Sequence, residues 1–160
     1  MSLKKYKKVK YLGKGSYGAA ILVHLRSNKN ETFVIKEIVI GHMKEEERVS
    51  TMNEVEVLRQ MHHSNIAMYV ESFIEGSRLY IVMEHADGGD LSGAITRRKE
   101  GGKPWPENEV MRMFVQICLA LKHVHEVCKC AHTGLFHFYQ HYFTITLLLY
   151  FYLLAKHPPP

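Results

Sequence analysis

Residues 13–18 near the N-terminus read GKGSYG, which has the G-x-G-x-x-G spacing of a phosphate-binding glycine loop. Glycines let a backbone approach a phosphate closely, with its N–H groups facing the anion. The pattern alone is weak, because dinucleotide-binding folds and ordinary glycine-rich hairpins also contain it. In a dinucleotide-binding fold the glycines open a helix. Here two apolar runs follow at 19–25 and 32–39, separated by a polar stretch, which favours a hairpin that covers a triphosphate.

Lys36 is the next candidate, because it ends the apolar run FVIK at 33–36. An inward-facing lysine needs a partner, since an unpaired buried ammonium is costly, and a phosphate together with a carboxylate would serve. Glu54, 18 residues later on a predicted helix, is the candidate carboxylate. The alternative is that Lys36 lies on the solvent-exposed face of its strand. The other acids of that helix, at 45–47 and 56, are expected on a solvated face.

A third segment, LYIVMEHADGGDL at 79–91, reads as a strand, a flexible connector and the start of a helix. The backbone of such a connector can offer polar groups to the edge of an adenine. Asp90 has two interpretations: it caps the following helix, or it accepts a hydrogen bond from a ribose hydroxyl.

The rest of the pattern supplies the elements that must position these residues. Apolar, β-rich runs predict strands at 6–12, 19–25, 32–39, 66–73 and 78–83. An acidic start and apolar residues at every third position predict a helix at 44–61. A stronger helix is predicted at 107–127, directly after Pro106. The apolar stripe of this helix predicts a core face made of Val110, Met113, Phe114, Ile117, Cys118, Leu121 and Val124.

Composition limits the class of protein. With 160 residues, 46% of them hydrophobic and 23% charged, the chain is expected to be globular rather than disordered. Its net charge of +5 includes a basic N-terminal cluster, which is expected on the outer face of the first strand: Lys4, Lys5, Lys7, Lys8 and Lys10. No nucleic-acid-binding motif accompanies these lysines, so no nucleic-acid partner is predicted. Three cysteines and an N-terminus without an apolar signal core favour a cytoplasmic location.

Residues 127–160 differ sharply from the rest of the sequence. They contain two lysines and no acid, whereas residues 1–126 contain all 16 acids. One interpretation is a hydrophobic tail unrelated to the preceding domain. The other is a membrane-associated protein, because the uncharged run 133–155 is long enough to span a bilayer. Five possible ligands match no common zinc module, so no metal site is predicted: His123, His125, Cys128, Cys130 and His132.

Together, the elements of residues 6–126 resemble the first half of a protein kinase domain. GKGSYG resembles the glycine-rich loop, FVIK the motif of the strand lysine, and Glu54 the glutamate that pairs with that lysine. Among kinases the chain looks most like the NIMA-related (NEK) serine/threonine family. The segments that carry this resemblance are VIKEI at 34–38, SNI at 64–66, ESF at 71–73, LYIVMEHADGGDL at 79–91 and FVQICLALKHVH at 114–125.

The resemblance implies an α+β fold. A protein-kinase N-lobe, with a five-stranded antiparallel sheet and one helix, would be followed by the first helices of an incomplete helical C-lobe. The N-lobe would cover about 6–83, the hinge 84–89 and the start of the C-lobe 90–126, with a non-homologous hydrophobic tail at 127–160. The implied activity is transfer of the γ-phosphate of ATP to serine and threonine hydroxyls of protein substrates, with Mg²⁺ bound alongside ATP.

The resemblance also implies an ATP-binding role residue by residue. Lys36 would hold the α- and β-phosphates, and Glu54 would orient it. Ala20 and Val34 would enclose the adenine ring, with Met83 as the gatekeeper. The other implied residues are Gly13, Lys14, Gly15, Ser16 and Gly18 in the loop and Glu84, Ala86 and Asp90 in the connector, where Glu84 and Ala86 would offer backbone groups.

The sequence departs from the kinase pattern after residue 126. The family requires H-R-D-x-x-x-x-N, D-F-G and A-P-E motifs there, and none is present. The last Asp is Asp90, the last Asn is Asn108 and the last Arg is Arg112. No residue is therefore assigned as the catalytic base or as an Mg²⁺ ligand, and these 160 residues are expected to be inactive in phosphoryl transfer. The alternative function is a non-catalytic nucleotide-binding or interaction module.

Overall fold

The computed structural model describes residues 2–15, 18–89 and 91–130, with side chains given up to residue 127. The chain divides into two units. The first, here called the strand unit, comprises Met1–Gln60 and Met68–His85. The second, the helical unit, comprises Met61–Ala67 and Ala86–Pro160. The two units are treated separately below.

The strand unit is built on one five-stranded antiparallel sheet in the order β1-β2-β3-β5-β4. The strands are β1 Tyr6–Gly15, β2 Gly18–Leu25, β3 Thr32–Val39, β4 Tyr69–Glu75 and β5 Arg78–Glu84, and a short 3-10 turn, Leu3–Lys5, precedes them. Gly76, at a φ of 59°, supplies the left-handed residue in the tight turn between β4 and β5. These elements confirm the α+β class and the five-stranded sheet expected from the sequence.

One predicted strand began too early. The apolar residues Ile66 and Ala67 were expected in a strand at 66–73, but β4 starts at Tyr69. Both residues are buried within the segment that belongs to the helical unit, where the amide of Ile66 donates to the carbonyl of His63 in a turn. The prediction was wrong here because a short apolar run does not distinguish a buried turn from a strand.

The two faces of the sheet follow the alternation of side chains along β2, β3 and β5. One face carries a core cluster of buried residues: Tyr6, Ile21, Val23, Ile35, Tyr80 and Val82. Tyr6 meets Phe33 edge-on and Phe73 stacks on Tyr80, with ring centroids 6.0 and 5.5 Å apart. The intervening residues, among them Lys36 and Ile81, therefore belong to the opposite face of the sheet.

Helix α1, Glu45–Gln60, belongs to the strand unit and lies in the chain between β3 and β4. Glu45, Glu46 and Glu47 occupy its first turn, where carboxylates favour the positive end of the helix dipole. Its buried residues recur at helical spacing and form one face: Thr51, Glu54, Val55, Val57 and Leu58. A carboxylate therefore sits in the middle of a buried helical stripe.

The helical unit contains α2, Leu91–Glu100, and α3, Glu107–Cys130. A 2.8 Å ion pair between Arg98 and Glu109 connects the two helices. In the segment 61–67, the ring of His63 stacks on His123 of α3 with centroids 5.3 Å apart. Within α3, Ala120 and Val124 are fully buried.

The predicted core face of α3 is only partly buried. Val124 is inaccessible, but Val110 and Phe114 are 45% and 57% exposed. Both line an open groove with Leu91 and Ile95 of α2. An apolar stripe identifies the side of a helix that favours burial and not what covers it, so Val110 and Phe114 are about half exposed.

None of the helices within the described residues is long and apolar enough to cross a membrane. The run 133–155, interpreted as a possible membrane segment, lies outside the described residues.

Candidate nucleotide-binding site

The glycine segment lies in the hairpin between β1 and β2. The ladder continues from Gly13 opposite Ala20 through Lys14 opposite Ala19 to Gly15 opposite Gly18. The glycines are thus followed by a strand, as predicted for a hairpin, and not by the helix of a dinucleotide-binding fold. Ser16 lies outside the described residues.

Gly18 has a specific packing reason to lack a side chain. A Cβ at this position would overlap the backbone carbonyl oxygen of Glu37 in β3. Replacing this glycine would therefore push the hairpin away from the sheet. By contrast, a Cβ at Gly13 would meet no atom of the described residues within 4 Å. Gly18 is thus required by the fold, whereas the space beside Gly13 is open.

Lys36 and Glu54 are brought together by β3 and α1. The Nζ of Lys36 lies 3.4 Å from Oε1 of Glu54. The lysine side chain is 24% exposed and the glutamate side chain 7% exposed. The alternative that Lys36 lies on the solvent-exposed face is therefore wrong. A buried carboxylate holds an ammonium that still reaches solvent, so the lysine keeps hydrogen-bonding capacity for an anion.

Three apolar residues share the sheet face of Lys36. Ala20 lies directly opposite Lys36 in the ladder of β2 and β3. Val34 lies opposite Met83 in the ladder of β3 and β5. Residues opposite one another project to the same side of a sheet, and residues two apart along a strand do too. The face therefore presents an apolar surface beside an ammonium group, an arrangement suited to a ligand with a planar apolar ring and an anionic group.

The three connector residues expected at the site, Glu84, Ala86 and Asp90, do not all lie in the strand unit. The amide of Glu84 donates to the carbonyl of Met68 at 2.9 Å, so that N–H belongs to the sheet edge. Any backbone group that Glu84 offers to a ligand must therefore be its carbonyl. Ala86 falls in the helical unit, and Asp90 lies outside the described residues. The structure thus brings Ala20, Val34, Lys36, Glu54 and Met83 together in one unit.

Sequence reasoning missed Ile81 as a neighbour of Lys36 on this sheet face. Ile81 lies opposite Lys36 in the ladder and is fully buried. An apolar neighbour on one side raises the cost of leaving the ammonium without a carboxylate. The alternation along β5 was the signal, because Ile81 lies two residues before Met83 and must share its face.

A second buried carboxylate was also missed. Glu71 of β4 accepts a 2.6 Å hydrogen bond from the hydroxyl of Tyr6 and lies 3.4 Å from Nζ of Lys5. Burial raises the pKa of the Tyr6 hydroxyl well above its ordinary value, and the hydrogen bond and charge of Glu71 raise it further. These residues lie on the core-cluster side of the sheet and not beside Lys36. No local pattern marks Glu71, because its partners are more than 60 residues away in sequence.

A metal site does not emerge from the described residues, among which no group of three or more His, Cys, Asp or Glu side chains is arranged to hold an ion. His123 instead stacks on His63. The side chains of Cys128, Cys130 and His132 lie outside the description.

Comparison with known proteins gives the family. The model of the protein kinase domain matches residues 6–135. Serine/threonine-protein kinase Nek1 of Mus musculus is 45% identical over 124 residues, which are 78% of this chain and 10% of that protein. The probable serine/threonine-protein kinase nek3 of Dictyostelium discoideum is 42% identical over 120 residues, 75% of this chain and 11% of that protein.

Serine/threonine-protein kinase Nek2 of Homo sapiens is 36% identical over 126 residues, 78% of this chain and 28% of that protein. The chain therefore spans less than a third of the length of these relatives. The matched range 6–135 includes the glycine hairpin and the Lys36–Glu54 pair. This chain belongs to the protein kinase family, and its resemblance to the NIMA-related serine/threonine kinases is confirmed.

Proposed function

We propose that this chain is the nucleotide-binding part of a serine/threonine protein kinase. In such an enzyme the γ-phosphate of ATP would be transferred to serine and threonine hydroxyls of protein substrates. The observation that carries the proposal is the Lys36–Glu54 pair, in which a buried carboxylate holds a partly exposed ammonium. Apolar residues suited to an adenine lie on the same sheet face.

In this proposal each residue has a physical task. Backbone N–H groups of the hairpin at Gly13, Lys14, Gly15 and Gly18 cover the phosphates. Lys36 contributes a positive charge to the α- and β-phosphates, and Glu54 keeps that charge in place. Ala20 and Val34 enclose the adenine, with Met83 limiting the depth of the space.

Magnesium, when bound, neutralises phosphate charge during phosphoryl transfer. The present sequence has no Asp after Asp90 and no Asn after Asn108, so it offers no candidate for the two Mg²⁺ ligands or the catalytic base at their family positions. Losing the base alone costs about 10²–10⁴-fold in rate. We therefore expect no transfer by these 160 residues alone. The second candidate, a nucleotide-binding or interaction module without catalysis, is supported by the Lys36–Glu54 pair and its apolar sheet face, because binding a nucleotide needs no catalytic base.

An ATP derivative with an acyl group on its terminal phosphate tests the proposal. Attack by a lysine amine on the acyl carbonyl forms an amide and releases ATP, so an amine held beside the phosphates is labelled irreversibly even when binding is weak. We expect Lys36 to be labelled in the 160-residue chain, and excess ATP to suppress that labelling. Mass spectrometry of the digested protein identifies the labelled lysines.

Lys29 is the matched control, because it is an exposed lysine in the turn between β2 and β3. Its labelling should be slow and insensitive to ATP. In Glu54→Gln the labelling of Lys36 should lose its sensitivity to ATP, because the ammonium is no longer held. Equal labelling of Lys29 and Lys36, with no protection by ATP, contradicts a nucleotide site at Lys36.

A further inference from the structure

Strand β1 is exposed along most of its length. Every residue from 7 to 14 is solvent-exposed, whereas β2 beside it has a buried centre at Ile21, Leu22 and Val23. In the sheet order β1 is terminal and pairs only with β2 among the described strands. One edge of β1 therefore has no neighbouring strand in the described part of the chain, and an exposed edge is a template for pairing with another chain.

The charge on this edge is of one sign. Lys7, Lys8, Lys10 and Lys14 all project from β1, and the sequence contains no acid before Glu31. None of these four lysines forms an ion pair with any residue that the structure describes. Lys8 lies over the ring of Tyr11, 3.1 Å from its centroid. The strand thus presents several cations without internal neutralisation.

Exposed apolar side chains lie among these lysines along β1. Val9, Tyr11 and Leu12 are 52%, 58% and 46% exposed. Val9 and Leu12 lie at two irregularities in the pairing of β1 with β2. Bulges shorten the regular part of an edge, and lysines repel a second copy of the same strand. Both features oppose pairing with a second copy of the same strand over a long, flat edge. A segment that pairs with this edge should therefore be short and negatively charged.

We propose that the open edge of β1 binds a short, extended, acidic segment of a partner protein, which adds to the sheet as a strand alongside residues 7–11. Main-chain hydrogen bonds would supply affinity, as in other cases of strand addition. Carboxylates on one face of the added strand would lie beside Lys7 and Lys10, and apolar side chains on its other face would cover Tyr11, over which Lys8 lies. This surface is separate from the Lys36–Glu54 pair and goes beyond the nucleotide-binding proposal.

Fluorescence anisotropy with a labelled ten-residue peptide of alternating glutamate and valine tests the proposal on the 160-residue chain. We expect saturable binding that weakens by about threefold to a hundredfold in the triple variant Lys7→Glu, Lys8→Glu, Lys10→Glu, because its exposed charge contacts are lost. The matched variant Lys29→Glu, Lys99→Glu, Lys103→Glu changes net charge equally at exposed positions elsewhere and should bind normally.

A second peptide separates strand addition from simple charge attraction without altering the protein. Methylation of every backbone nitrogen keeps the charge but removes the donors along both edges, and we expect it to abolish binding. Unchanged binding of the methylated peptide overturns the proposal. So does an equal loss of binding in both triple variants, or tighter binding of a single-stranded DNA 20-mer at the same lysines, which identifies a general polyanion surface.

Discussion

The strand unit and the helical unit differ in how completely their apolar side chains are buried and their buried charges paired. In the strand unit, the buried carboxylates Glu54 and Glu71 each lie beside a lysine. Six residues on one face of its sheet form a buried core cluster. In the helical unit, α3 leaves Val110 and Phe114 about half exposed along an open groove. Among the described residues, the strand unit therefore pairs its buried carboxylates and buries its apolar core, whereas α3 leaves part of its apolar side uncovered. Stability should accordingly reside in the sheet.

The largest expected effect compares two isoleucines. Ile81 of β5 is fully buried and Ile95 of α2 is 50% exposed. We expect Ile81→Ala to lower the free energy of unfolding by about 2–5 kcal/mol, because it leaves a cavity. Ile95→Ala should change it by less than about 0.5 kcal/mol. Urea unfolding followed by circular dichroism measures both, and equal losses would show that the exposed groove is as closely packed as the sheet.

A smaller effect concerns Tyr6 and alkaline pH. Since burial and Glu71 raise the pKa of Tyr6, the folded state keeps a proton that the unfolded state releases above about pH 10. The stability from this group is complete below that pH and is lost as the pH rises further. At pH 8 we expect Tyr6→Phe to cost about 1–3 kcal/mol, because a buried carboxylate loses a donor. Thermal unfolding between pH 8 and 11 should show a shallower alkaline decline in that variant.

Tyr11→Phe is the control for this measurement. Tyr11 is 58% exposed, and its hydroxyl makes no hydrogen bond to the described residues. This variant should keep the alkaline decline of the parent protein. If Tyr6→Phe declines as steeply as Tyr11→Phe, then Tyr6 is not the residue that couples unfolding of the strand unit to alkaline pH.

The smallest effect is in the helical unit and at acid pH. Burial lowers the pKa of His63, and the neighbouring His123 lowers it further. The neutral ring also accepts a 3.0 Å hydrogen bond at Nδ1 from the amide of Asn65. The associated stability is therefore complete above about pH 6.5 and is lost as the pH falls below it. Amide exchange in the segment 61–67, measured relative to the intrinsic exchange rate, should therefore show less protection at pH 5.5 than at pH 7.5.

His62→Gln and His63→Gln form a matched pair for this test, since His62 is exposed. The first variant should still lose protection at acid pH, and the second should lose much less. Retention in His63→Gln would assign the acid sensitivity to another group of the helical unit.

Sequence reasoning located the parts of the candidate site that local patterns encode. The glycine spacing and the two runs after it predicted a hairpin, and the lysine in an apolar strand predicted an inward side chain with a carboxylate partner. Both follow from periodicity and from the cost of an unpaired buried charge. The resemblance to kinases supplied the residue-by-residue roles, which periodicity alone does not give.

What the sequence did not reveal depends on distant pairing. Glu71 reads like any strand carboxylate until the fold brings Tyr6 to it. His63 and His123 belong to different elements 60 positions apart, so their stacking has no local signature. The apolar stripe of α3 does not by itself show that Phe114 is exposed, because the pattern of one helix does not contain its surroundings.

The bond between Tyr6 and Glu71 has a consequence for the order of folding. The two residues are 65 positions apart, and closing so long a loop costs entropy before any contact rewards it. During synthesis the first strand leaves the ribosome long before β4 exists. The glycine hairpin between β1 and β2 can pair locally, but Tyr6 at the start of β1 cannot form its hydrogen bond until β4 has been made. The first segment to be made is therefore among the last to be fixed, and nascent chains halted before residue 71 should carry a β1 whose start is not yet anchored.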